Sequence, residues 1–210
     1  MEEILRFFPR LSDRQIQQLE QVGPLYRQWN DKINLISRKD IDNIYPHHIL
    51  HSLSIARFLQ FTSSARVLDV GTGGGFPGIP LAILFPETTF VLIDGTRKKI
   101  NVVQDVAAQV GIRNVQPRHV RAEELRDGSF DFVVCRAVAA IDKLVEWSFP
   151  HIAVEKQQHA IPNGLITLKG GNLKQEIKAL PRKMYSEIHP LQQFLDLPYF
   201  EEKALVYVQR

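Results

Sequence analysis

The amino-acid sequence predicts an α/β fold: a mostly parallel sheet with helices on both faces, an antiparallel strand pair at its C-terminal end, and an N-terminal helical cap before it. Three observations carry this expectation. From residue 66 onward, short apolar runs alternate with helical stretches, the pattern of right-handed βαβ units. The last two runs, 184–189 and 203–208, have no helix between them, so they should pair antiparallel at one sheet edge. Before residue 62 the periodicity is helical only, which divides the chain into a cap over 1–62 and a sheet domain over 63–210.

In the cap, Ser12 and Gln15 form an S-x-x-Q capping box, and Ile16, Leu19, Val22, Tyr26, Trp29 and Ile33 recur at helical spacing. A helix is therefore expected over 12–33, bent or broken at Gly23-Pro24. Tyr26 and Trp29 lie on its apolar stripe and read as core rather than as rings that stack on bases. A second helix is expected over 47–60, HHILHSLSIARFLQ. His47 and His51 have an i, i+4 spacing on it, but no H-E-x-x-H pattern or third ligand accompanies them, so no metal is assigned. Strands follow at 66–70, 89–94, 115–120, 130–135 and 164–168, with helices near 78–85, 97–110, 140–149 and 172–180.

At 210 residues the chain has room for one main domain and a modest addition, enough core to fold without disulfides or metals. The single cysteine, Cys135, excludes an intramolecular disulfide and suits a reducing compartment. MEEILRFF lacks the basic-then-apolar order of a signal peptide, and no apolar run is long enough to span a membrane, so a cytoplasmic protein is expected. The balance of 26 Lys and Arg against 23 Asp and Glu is too slight to identify a polyanionic partner. The basic residues cluster before the glycine-rich stretch, Arg38 and Lys39 among them, and again at Arg97-Lys98-Lys99 and over 169–183. Solvated faces and a nucleic-acid surface both accommodate that distribution.

The stretch over 66–83, RVLDVGTGGGFPGIPLAI, puts Gly71, Gly73, Gly74, Gly75 and Gly78 where a strand turns into a helix. Glycine there permits a tight turn and lets a ligand press on bare backbone. Asp94 ends the second strand, where a carboxylate can accept from both ribose hydroxyls and would repel a 2′-phosphate. NAD or S-adenosylmethionine remains. Asp69 adds a carboxylate suited to a cationic amino group, and only one mononucleotide half is visible, so S-adenosylmethionine is favoured. After the third strand, the Ala122 backbone and the Glu123 region are placed to hold the adenine edge, or form an acidic helix start.

These residues reach a resemblance. Trp29-Asn30 with Asn34-Leu35, His48-Ile49-Leu50 before Ser52, the DVGTGGGFPGIPLA block, and Ser129-Phe130-Asp131 leading to Cys135-Arg136-Ala137 resemble the bacterial small-subunit ribosomal RNA methyltransferase G family, also called glucose-inhibited division protein B, along nearly the whole chain. The resemblance implies a Rossmann-like class I methyltransferase that uses S-adenosylmethionine to methylate guanine N7 in the decoding-region loop of 16S rRNA. It implies cofactor contacts at Gly71, Phe76, Ala122, Glu123 and Arg136. His51 departs from it, standing where the family usually has Asp.

The chemistry asks little of side chains. N7 carries a free lone pair and no proton, so no general base is required, no catalytic residue is assigned, and positioning supplies the rate. The Asn/Asp-Pro-Pro-aromatic motif of amino-methylating enzymes is replaced after the fourth strand by Cys-Arg-Ala-Val. Cys135 reads as a small buried residue rather than a nucleophile. Arg136 is suited to a carboxylate, a phosphate or guanine O6, or to an internal salt bridge. Arg38 and Lys169 are the further candidates for contact with RNA, Lys169 being equally compatible with a solvated side chain. The expected partner is 16S rRNA or a small-subunit assembly particle, met by a monomer. An NAD-dependent oxidoreductase and a non-catalytic RNA-binding protein are the competing readings.

Overall fold

The computed structural model describes residues 1–126, 128–155 and 158–209. Its strands are β1 (Arg66–Val70), β2 (Thr89–Asp94), β3 (Val115–His119), β4 (Phe132–Arg136), β5 (Gly164–Gly170), β6 (Tyr185–Pro190) and β7 (Lys203–Gln209). They form one sheet in the order β3-β2-β1-β4-β5-β7-β6. The first five pair in parallel, while β7 runs antiparallel to both β5 and β6, as the missing helix between the last two runs implied. The chain winds outward from β1 to β3, then returns to the other side of β1 with β4. The carboxyl ends of β1 and β4 therefore flank a topological switch point.

Side chains alternate across the sheet. Val67, Phe90, Leu92, Phe132 and Val134 face one side, and Leu68, Val91, Ile93, Val133 and Cys135 face the other. The first side is covered by α5 (Gly78–Leu84), by α6 (Arg97–Val110) and by the cap, whose Leu19, Val22, Tyr26, Ile44, Ile49, Leu50 and Leu53 are buried in the same cluster. The second is covered by α7 (Ile141–Ser148) and α8 (Leu173–Lys178). α6 ends at Gly111 in the left-handed conformation, φ 72°, as a glycine just past a helix allows.

The cap comprises α1 (Glu2–Phe7), α2 (Asp13–Lys32), a π-helical segment Ile44–Leu50, and the short α3 (His51–Leu53) and α4 (Ile55–Phe58). Ser12 caps α2 with the reciprocal Gln15 bond. Two expectations need correction. α2 is not broken at Gly23-Pro24. The Glu20 carbonyl, which loses its helical partner at Pro24, accepts from the Tyr45 hydroxyl at 2.9 Å. Gly23 makes the room, because a β-carbon there would stand 2.6 Å from the Tyr45 oxygen. The helix expected over 47–60 begins earlier, at Ile44, because Pro46 falls in a first turn that needs no N–H from it, and its opening turns are π-helical.

Candidate active site

A cavity of about 410 Å³ opens at the switch point, lined by Leu35, Ile36, Gly71, Thr72, Gly73, Gly74, Phe76, Asp94, Lys99, Arg136, Ala137 and Val138. Its volume lies in the range of small-molecule sites. Larger cavities of about 600 and 730 Å³ lie near Arg66 and Asp131 and near Thr89 and Asn114, at the amino ends of strands. The smaller one combines the strands' carboxyl ends with the glycine loop, which is where an open α/β sheet binds its ligand.

The loop is built by its neighbours. Gly71 and Gly73 have φ of 65° and 59°, conformations that glycine adopts without strain. Nothing within 4 Å would meet a β-carbon on Gly73, so that position presents bare backbone to open space. The Thr72 hydroxyl and the Gly78 N–H both donate to Asp69 Oδ2, at 2.6 and 2.8 Å. Asp69 Oδ1 is buried without a partner, and burial pushes the carboxyl up to about 7 despite those donors. The Tyr26 hydroxyl reaches in from α2 and donates to the Gly74 carbonyl. Its ring packs on Phe76 with centroids 4.7 Å apart.

Asp94 ends β2 at the cavity wall. Its Oδ2 accepts from Gly73 N–H at 3.0 Å and its Oδ1 from Thr96 N–H at 2.8 Å. Lys99 Nζ stands 3.8 Å from Oδ2. Each carboxylate oxygen keeps acceptor capacity beyond its one backbone bond.

Arg136 ends β4 and enters the cavity from the opposite side. Its guanidinium lies 5.1 Å from the Phe76 ring centre. Nη2 stands 3.0 Å from His48 Nδ1, and Nη1 donates to the His47 carbonyl at 3.4 Å. A guanidinium only donates, so His48 Nδ1 accepts, and the Nε2 proton goes to Asp40 Oδ2, 2.7 Å away. Burial and the nearby Arg136 charge lower the His48 pKa to about 4, in keeping with that neutral tautomer. Asp40 Oδ1 also takes His47 Nδ1 at 2.5 Å. The Asp–His–Arg chain replaces the direct internal salt bridge considered for Arg136, because no carboxylate lies within ion-pair distance of the guanidinium among the described residues.

Of the expected site residues, Gly71, Gly73, Phe76, Asp94 and Arg136 converge on the cavity. Asp69 and Gly75 stand behind it, Asp69 fully buried and Gly75 against Ile79 and Tyr26. Ala122 and Glu123 form a turn beyond β3 and do not line it. Arg38 is exposed two residues beyond the lining residue Ile36. Lys169 turns inward, its Nζ 2.7 Å from the Ala139 carbonyl and 2.8 Å from Glu176 Oε2, so the ammonium is held by the protein rather than by solvent. Cys135 is buried and its thiol is pushed up to about 12 by burial, the reverse of an activated nucleophile. Tyr26 is core, and the Trp29 indole N–H donates to Asp105 at 2.7 Å. His47 stacks on Tyr199 at 3.7 Å, and His51 is buried edge-on to Tyr199 and Phe200. Sequence spacing did not indicate Lys99, Leu35, Ile36, Val138 or the Asp40–His48 support.

Solved structures carry the same sheet. Ribosomal protein L11 methylase from Lactobacillus delbrueckii subsp. bulgaricus matches with a TM-score of 0.56 at 20% identity, over 77% of this chain and 76% of that one. Precorrin-6y C5,15-methyltransferase from Geobacter metallireducens matches with a TM-score of 0.54 at 11% identity, over 85% and 91%. At those identities the likeness shows the fold alone, the sheet of the class I methyltransferases. Residues 15–197 match the model of one family within that class, GidB, rRNA small subunit methyltransferase G, and the chain belongs to that family. Curated relatives named ribosomal RNA small subunit methyltransferase G agree. The protein of Bacteroides thetaiotaomicron is 51% identical over the full length of both chains, and that of Porphyromonas gingivalis is 51% identical over 99% of this chain and 92% of its own. The NAD-dependent reading falls with that assignment.

Proposed function

We propose that this chain methylates N7 of a guanine in 16S ribosomal RNA, in the decoding-region loop, using S-adenosylmethionine. The observation that carries the choice of atom is the make-up of the cavity wall. It holds a fixed guanidinium, Arg136, while its carboxylate, Asp94, is tied to backbone amides. Among the described residues that line it there is no histidine, cysteine or tyrosine, and N7 has no proton to give. The names of the full-length relatives support the RNA class.

The bound cofactor supplies an activated methyl group on a sulfonium. In the proposed arrangement, Asp94 accepts from the ribose hydroxyls with its remaining lone pairs. The bare backbone of Gly71 and Gly73 receives the ligand closely. Leu35, Ile36 and Phe76 exclude water from the reacting face. Asp69 and Gly75 shape the loop from behind, and the adenine edge extends past the cavity to the Ala122 backbone and Glu123, on the turn after β3. Arg136, preset by His48 and the His47 carbonyl, binds the cofactor carboxylate or guanine O6. Arg38 meets RNA phosphate at the cavity mouth. The protein acts as a cytoplasmic monomer on 16S rRNA or a small-subunit assembly particle. No helix of the described residues is long and apolar enough to cross a membrane.

Calorimetry with S-adenosylmethionine and with NAD tests the cofactor arm, with binding of the first alone expected. Nucleoside mass analysis of 16S rRNA from a deletion strain tests the substrate arm, with loss of one 7-methylguanosine expected. Binding of the cofactor with rRNA modification unchanged would favour a non-catalytic RNA-binding protein.

A further inference from the structure

After β4 the chain passes through Ala137-Val138-Ala139-Ala140 before α7 begins at Ile141. Ala137 and Val138 line the cavity beside Arg136. Ala137 has φ 51°, the one non-glycine residue with positive φ among those described. A residue with a β-carbon keeps that conformation only where its surroundings over-determine it. The Ala137 N–H donates to the Leu168 carbonyl at 3.2 Å. Two side chains supply the rest. Lys169 Nζ donates to the Ala139 carbonyl at 2.7 Å, and Glu176 Oε2 accepts from the Ile141 N–H at 2.9 Å. The two meet each other at 2.8 Å, with the Lys169 side chain only 10% exposed.

We propose that Lys169 and Glu176 are paired positioning residues that hold the 137–141 loop in its left-handed turn, so that Arg136 and Val138 stand correctly against the glycine loop, and that neither touches substrate. The proposal rests on the methyltransferase reading of the cavity. Val138 shows how little slack there is: a β-carbon on Gly71 would lie 2.9 Å from its methyl groups. A shift of the loop therefore reshapes the cavity wall directly. Because the ion pair is largely buried, removing one partner strands the other charge, so either substitution should release the loop.

The test uses the full-length chain with Lys169→Met, Glu176→Ala, their double variant, and the milder Lys169→Arg and Glu176→Gln. Two readouts need no RNA: hydrogen exchange at the Ala137 and Ile141 amides of the free protein, and S-adenosylmethionine affinity by calorimetry. Each severe single variant should speed exchange at Ile141 by about tenfold or more and weaken the cofactor several-fold, through local opening rather than global unfolding. The double variant should be no worse than the poorer single one, since both act on one device. Glu176→Gln, which keeps an acceptor for Ile141, should recover part of the loss. The proposal is overturned if Lys169→Met leaves exchange and cofactor affinity unchanged and raises only the KM for RNA, or if Glu176→Ala has no effect on either readout. Should the wild type fail to bind the cofactor, the reading of the cavity fails, while the exchange data still decide the brace.

Discussion

Asp94 serves two partners, its backbone tie to Gly73 and Thr96 and the proposed ribose. Asp94→Ala should weaken S-adenosylmethionine binding by about 1.5–3 kcal/mol, the worth of charge-assisted bonds, and Asp94→Asn by less, because it keeps an acceptor. Calorimetry showing wild-type affinity in Asp94→Ala would remove the ribose from this position. Cys135→Ala should retain methylation, and thiol reagents should label the folded wild type slowly, as its burial and raised pKa require. Two buried groups oppose each other in acid. His48, lowered to about 4, contributes stability that is present above its ordinary 6.5 and lost as pH falls through 4. Asp69, raised to about 7, contributes stability that is full below its ordinary 3.8 and lost as pH rises through 7. Urea unfolding between pH 4 and 6.5 should therefore show His48→Gln losing stability more steeply with rising pH than the wild type, and Asp69→Asn gaining it. Unchanged slopes in both variants would contradict these protonation states. Gly71, Gly73, Asp94 and Arg136 were legible in the sequence because each sits beside a strand end that the apolar runs mark. The Asp40–His48 support was not, since it joins residues some ninety positions from Arg136.

At the scale of elements, strands were read well because short apolar runs, buried on both faces, end in glycine punctuation, as at Arg66–Val70, buried from Val67 onward and followed by Gly71. Breakers were read less well. Gly23-Pro24 carries the local signal of a helix end, yet α2 continues because Tyr45 satisfies the carbonyl that proline strands, a tertiary partner invisible to local pattern. The π-helical turns at Ile44–Leu50 have no periodicity signal of their own. α2 also reaches the site, through the Tyr26 hydroxyl on the Gly74 carbonyl. Tyr26→Phe should cost about 0.5–1.5 kcal/mol of folding stability, the net worth of one hydrogen bond, and should weaken cofactor binding as the loop slackens. Loss of stability without any change in affinity would confine Tyr26 to the core.

The whole molecule joins cap and sheet in one apolar cluster, and the cap segment Leu35-Ile36 forms part of the cavity wall. The Tyr199 hydroxyl, from the segment between β6 and β7, donates to the same His47 carbonyl that receives Arg136, so the C-terminal region steadies the cap at the site. The arrangement supplies a small pocket with Arg136 and Lys99 on its wall and its carboxylate, Asp94, tied to backbone amides, which suits positioning a nucleophile that already has its lone pair. The most direct test of that account is transfer of an isotopically labelled methyl group from S-adenosylmethionine to small ribosomal subunits by the purified protein, followed by nucleoside mass analysis. Label is expected in a single 7-methylguanosine of 16S rRNA, with incorporation independent of pH across the range in which a catalytic base would titrate. Label on an exocyclic amine, a ring carbon or a ribose hydroxyl, or a rate that rises with deprotonation of a protein group, would contradict it.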